Sequence, residues 1–237
     1  MKYDNPAARL LAILERGKEF KPDRNCRECW EELLEAKGDS AMLMARLGLL
    51  MALPQCVVSA LIHAYPTQGN TWAHWEGQVS AAFMAQNMHA DWKSFAANID
   101  NHSYTYLRLA ADLLNAKDQA QLLERDQVAE VRLRVQEALD AVIGTDIPRA
   151  LKAQVVRCMK RVLDAMDEYH ITGGVGVLEA AEAALGHASV DSEYKSFLQN
   201  TEIGQKALDA IAAAANLLTI SVGIPQLTVV LTQLLTQ

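Results

Sequence analysis

Cysteine is scarce in this chain, and so is any sign of export. Four cysteines are spread over 237 residues, and the N-terminus MKYDNPAARLL shows no apolar stretch after basic residues. Secretion is therefore not indicated, and free thiols in a reducing compartment are expected. We predict a cytoplasmic protein, long enough to bury a core without disulfides.

Basic charge is also in short supply. The chain has 22 Lys and Arg against 29 Asp and Glu, a formal net charge of −7. Such a surface repels a phosphate backbone, so nucleic acid is disfavoured as a partner. Hydrophobic residues make up 51% and charged residues 22%, which is typical of a globular protein and excludes extensive disorder.

Local catalytic and metal-binding motifs are missing. The sequence contains no nucleophile elbow, phosphate loop or dinucleotide fingerprint. Its six histidines never pair at a spacing of three or four residues, so we expect neither a metal nor a cofactor. His102, in ANIDNHSYTY, lies among polar residues and could serve a helical hydrolase or nuclease, but a turn capped by Asp100 or Asn101 is favoured.

Cys26 and Cys29 form a C-x-x-C pattern at the start of a predicted helix. The aligned N–H groups there lower a thiol pKa, which would suit a redox pair. Both residues, however, share the apolar face of that helix with Trp30 and Leu33. Since free cysteine is often buried, core cysteines are favoured over a redox or zinc site.

Nearly every segment has apolar residues at three- and four-residue spacing, which predicts helices throughout. Asn5 before Pro6 and Asn25 three residues before Glu28 mark two helix starts. We predict an all-α, irregular multi-helix bundle of about ten to twelve helices with a C-terminal apolar helical hairpin. The glycines at 173–174 favour a boundary between a main body, 1–172, and a C-terminal unit, 173–237, within what could still be one continuous domain.

One helix carries a segregated basic face. Between Asp146 and Asp164 there are five basic residues and no acid. They occupy one side of the helical wheel, and we predict that this side is the partner-binding site: Arg149, Lys152, Arg157, Lys160 and Arg161. Cations early in a helix oppose its dipole, a cost that docking to an acidic partner or anionic ligand would explain. A solvated face on which Lys160 pairs with Asp164 is the simpler interpretation and is favoured over this docking site.

Two long runs lack charge altogether, 47–75 and 210–237. Each is long enough to span a bilayer, but Pro54 is expected to break the first, and Gly223 and Pro225 the second, into core-helix lengths. The last piece is amphipathic, and its apolar face is predicted to be an interface: Leu227, Val230, Leu231 and Leu234. A hairpin packed on the body or across an oligomer interface is favoured over membrane insertion.

These observations favour a protein that acts by binding another protein, or itself as a homo-oligomer. The leading hypothesis is a non-catalytic interaction module, such as a bacterial immunity or inhibitor protein or a defence-system adaptor. A membrane-acting defence effector that keeps its apolar hairpin sequestered is the alternative, and a helical hydrolase or nuclease is third. The lack of a motif does not exclude a site assembled from distant residues.

Overall fold

A computed structural model of the chain describes residues 4–117 and 123–222. Helices make up 78% of the structure, and the described residues form twelve α-helices and no strand. The predicted all-α, multi-helix class is therefore confirmed. The chain divides into two units, Met1–Gln119 and Ala120–Gln237.

Residues 4–117 of the first unit form six helices, and the predicted caps begin two of them. The side-chain oxygen of Asn5 accepts a hydrogen bond from Ala8 N at 2.9 Å, and that of Asn25 accepts one from Glu28 N at 3.2 Å. These bonds satisfy N–H groups that a helix leaves free in its first turn. The helices are α1 (Pro6–Lys18), α2 (Cys26–Leu33), α3 (Ser40–Ala64), α4 (Ala73–Ala85), α5 (Lys93–Ala96) and α6 (Asn101–Lys117).

An aromatic cluster lies in the core of the first unit. The ring of Trp30 lies 5.0 Å from that of Trp92 and 4.8 Å from that of Phe95, both nearly edge-on. The indole N–H of Trp92 donates to Gly17 O at 2.8 Å. The large rings therefore bury their apolar area while the polar N–H keeps a partner.

The predicted break at Pro54 is wrong, because α3 runs through it as one helix of 25 residues. Proline removes one backbone hydrogen bond and costs about 3 kcal/mol in a helix interior. Leu50 and Val57 are nevertheless fully buried on either side of Pro54, which is itself buried. Burying such side chains contributes about 1.5–3 kcal/mol each, so tertiary packing outweighs the local penalty.

The second unit is a bundle in which α7 packs against α8 and α12, and α10 packs against the same two helices. The predicted boundary at 172/173 falls inside this unit, at Gly173, which joins α9 to α10 with φ of +71°. The helices are α7 (Arg125–Gly144), α8 (Arg149–Asp167), α9 (Tyr169–Thr172), α10 (Gly174–Gly186), α11 (Ser192–Asn200) and α12 (Glu202–Val222), with a short 3₁₀ turn at His187–Ser189.

The charge-free tail begins inside α12. Ile211, Ala214 and Ala215 on this helix are fully buried, so the first part of the tail closes the core of the second unit. The rest of the predicted hairpin lies outside the described residues. The interface assigned to Leu227, Val230, Leu231 and Leu234 therefore remains a prediction.

Candidate functional site

The orientation of α8 is set by its apolar side. Val155, Met159 and Val162 are fully buried, and Leu151 is 7% exposed. These are the residues whose spacing predicts an apolar face opposite the basic one. Because they anchor the helix in the core of the second unit, the opposite face must point to solvent.

Four of the five predicted basic residues are exposed: Arg149, Arg157, Lys160 and Arg161. Among the ion pairs formed by residues 4–117 and 123–222, none involves these four side chains. In particular, Lys160 makes no ion pair with Asp164, one turn further along the helix. None of these four cations is therefore held in an ion pair by a described acidic side chain.

Lys152 differs from the other four because it is half-buried and bonded within the protein. Its Nζ donates to the carbonyl oxygen of Ile143 at 3.0 Å, in the last turn of α7. A cation at a helix C-terminus typically contributes about 0.3–1 kcal/mol. Lys152 thus stabilises the end of α7, and the exposed basic face consists of the remaining four residues.

The surface of α8 becomes acidic towards its C-terminus. Asp167 forms a two-bond ion pair with Arg132 of α7, with Nη2 to Oδ2 at 2.9 Å, and this hydrogen bonding raises the pKa of Arg132. Further acids border a cavity of about 260 Å³ that Arg161 also lines: Asp164, Glu168 and Glu179. One helix therefore presents a basic half and an acidic half in succession.

Cys26 and Cys29 are free thiols with no exposed surface. Burial raises the pKa of Cys26, and it raises the pKa of Cys29 to about 11. At neutral pH these groups are thiols rather than the thiolates that redox chemistry requires. Their interpretation as core residues is confirmed.

Of the turn favoured around His102, the local hydrogen bond of Asp100 is present, but His102 itself lies in the first turn of α6. The carboxylate of Asp100 accepts a hydrogen bond from Ser103 N at 2.7 Å and so caps the start of α6. This bond and the side-chain bonds to Asp100 lower its pKa to about 2. His102 itself is exposed, and its ring lies 6.5 Å from that of Tyr106.

The histidine that meets Asp100 is His74, on α4. Its Nε2 lies 3.0 Å from Asp100 Oδ2, and the side-chain amide of Gln78 donates to the same oxygen at 3.1 Å. No local feature of the sequence points to this pair, because the two residues are 26 positions apart. Packing of α4 on α6 brings them together.

Within the part of the chain that the structure describes, no three His, Cys, Asp or Glu residues are grouped so that they could hold a metal ion. Among the described helices, one, α3, is long and apolar enough to cross a membrane by length and composition, and 39% of its most apolar window is buried. The chain matches no protein-family model, and no curated protein or solved structure shows significant similarity to it.

Proposed function

We propose that this protein is a non-catalytic helical interaction module that binds an acidic partner protein through the exposed basic face of α8. The observation that carries this proposal is the cluster formed by Arg157, Lys160 and Arg161. These three cations are adjacent, exposed and without an ion pair to a described residue, on a chain whose net charge is −7.

Electrostatics support this choice of partner. Arg157 lies three and four residues before Lys160 and Arg161, and exposed like charges at this helical spacing repel one another at a cost of about 0.2–0.5 kcal/mol per pair. An acidic patch placed over the cluster relieves that repulsion and also the unfavourable interaction of Arg149 with the N-terminus of α8. Since the buried side of α8 fixes the helix, the charges are already positioned for docking.

The test is a charge reversal with a matched control. The binding variant combines Arg157→Glu, Lys160→Glu and Arg161→Glu. The control combines Arg16→Glu, Lys21→Glu and Lys37→Glu, three exposed residues of the first unit that likewise form no ion pair with a described residue. Both variants change the net charge by the same amount, so only the position of the charge differs.

Each protein is cross-linked in cells, and the partners are compared by mass spectrometry. We expect an acidic protein to be recovered with the unaltered chain and the control but lost with the α8 variant, and its binding to the purified chain to weaken as salt rises. Recovery of the same partners with all three proteins would refute the proposal. Circular dichroism checks that both variants remain folded.

A second candidate, contact with a membrane, rests on α3. Three large apolar side chains of this helix are 40% to 49% exposed: Met44, Met51 and Ile62. No charge occurs on α3 after Arg46, and exposed apolar surface of this kind commonly marks a binding face. Flotation with anionic and neutral liposomes tests this candidate, with Met44→Glu and Met51→Glu combined in one variant. A protein that stays unbound to both kinds of liposome would eliminate it.

A further inference from the structure

The first unit contains a cavity of about 620 Å³ between α3, α4 and α6. It lies far along the chain from the basic face, and neither the proposed docking of α8 nor the contact of α3 with a membrane uses it. Sites for small molecules typically enclose about 300–1,000 Å³. The cavity is therefore of a size that suits a small organic ligand.

The inner part of the cavity is apolar, and its rim carries both polar and apolar side chains. Leu61, Trp75 and Ala110 form buried wall, with exposures of 1% to 4%. Asn70 and Thr71 lie on the exposed rim. Apart from the imidazole of His74, no described side chain that lines the cavity is ionisable near neutral pH. This combination favours an uncharged ligand with an apolar body and one polar end.

His74 provides the polar anchor. Its Nε2 faces the carboxylate of Asp100 at 3.0 Å, and that carboxylate is ionised because its pKa is about 2. An acceptor at Nε2 places the proton of the neutral imidazole on that nitrogen, which leaves Nδ1 as a hydrogen-bond acceptor. No described residue donates to Nδ1. The ring of Tyr106, edge-on at 5.8 Å, packs against the imidazole and limits its rotation.

We propose that this cavity binds an uncharged small molecule with a flat apolar body and a hydroxyl or N–H group that donates to Nδ1 of His74. The ring of Tyr106, which lines the cavity and is 43% exposed, gives the flat body an aromatic surface. Asp100 acts on the ligand only through His74, as a positioning residue that holds the tautomer.

Two probes of nearly the same shape test the proposal on the full chain. β-Naphthol carries a hydroxyl donor, whereas its methyl ether has the same rings and no donor. Binding of each is measured by equilibrium dialysis to four proteins: the unaltered chain, His74→Phe, Ala73→Trp and Ala81→Trp. Ala73 is exposed and lines the cavity, so tryptophan there fills it. Ala81 is an exposed alanine of the same helix outside the cavity and serves as the control.

We expect the unaltered chain and Ala81→Trp to bind β-naphthol about 3- to 10-fold more tightly than the ether, as one neutral hydrogen bond implies. His74→Phe should bind both probes equally, and Ala73→Trp should bind neither. The proposal is overturned if the unaltered chain binds neither probe saturably. It is overturned equally if Ala73→Trp binds as Ala81→Trp does, or if the preference for β-naphthol survives in His74→Phe.

Discussion

Gly204, the third residue of α12, lies where a side chain does not fit. A Cβ atom added there would lie 1.9 Å from the carbonyl oxygen of Phe197 and 2.7 Å from Oγ1 of Thr201. Contacts of Cβ atoms below 3.0 Å are essentially absent from proteins. The nearest obstacle is backbone and cannot rotate away, so Gly204→Ala must move α11 and α12 apart by more than 1 Å.

The loss in the free energy of unfolding follows from the hydrogen bonds and packing that this movement disrupts. Thr201 Oγ1 accepts from Gly204 N at 2.9 Å and donates to Phe197 O at 2.8 Å, so it caps α12 and ties it to the end of α11. Loss of such a cap costs about 1 kcal/mol, and overpacking costs about 1–3 kcal/mol. Alanine regains about 1 kcal/mol of helix propensity. The free energy of unfolding should therefore fall by about 1–3 kcal/mol.

Urea unfolding followed by circular dichroism at the helix band measures this change. Tryptophan fluorescence is unsuitable as the main signal, because all four tryptophans lie in the first unit. The control is Gly186→Ala, at a helical position with φ of −61° where an added Cβ meets no atom within 4 Å. It should leave stability unchanged or raise it. The reasoning fails if Gly204→Ala unfolds at the same urea concentration as Gly186→Ala, or at a higher one.

Three further predictions concern the first unit. Glu35 has a φ of +53°, so Glu35→Gly should raise the free energy of unfolding by about 1 kcal/mol, measured by tryptophan fluorescence in urea. Folding lowers the pKa of Asp100 from 3.8 to about 2, so the unit should lose stability as pH falls through this range, and Asp100→Asn should reduce that loss in acid-unfolding curves. A thiol reagent should label the exposed Cys56 rapidly but not the buried Cys29, and Cys56→Ser should abolish the rapid phase.

Helical periodicity was enough to predict the fold class, and it failed where tertiary packing opposes a local rule. Pro54 is a helix breaker by its own chemistry, yet the buried residues on both sides of it keep α3 continuous. The glycines at 173–174, where the sequence favoured a boundary, lie within the second unit, and the chain divides into its two units at 119/120. A unit is defined by which helices pack together, and that property is not local in sequence.

The candidate site, like the fold, could be predicted only in part from the sequence. Spacing alone predicted which side of α8 is buried and which side carries the basic residues. It could not show that Lys152 bonds the carbonyl of Ile143, because that contact depends on how α7 and α8 pack. The sequence analysis also singled out His102 rather than His74, because Asp100, the partner of His74, is distant in the chain.

The charge distribution of the second unit restricts where an acidic partner could bind. Residues 120–237 carry ten basic and fifteen acidic side chains, and half of the basic ones lie between 149 and 161. An acidic protein that docks as proposed would therefore be repelled by the net negative charge of this unit and attracted at the exposed basic face of α8. At physiological ionic strength the Debye length is about 8 Å, and electrostatic attraction between exposed charges weakens beyond it. The attraction would therefore stabilise only a complex in which the partner's acidic patch reaches the helix itself. In the docking proposed above, the acids of this unit would act against acidic proteins of the wrong shape, and the exposed basic face would gain specificity from them.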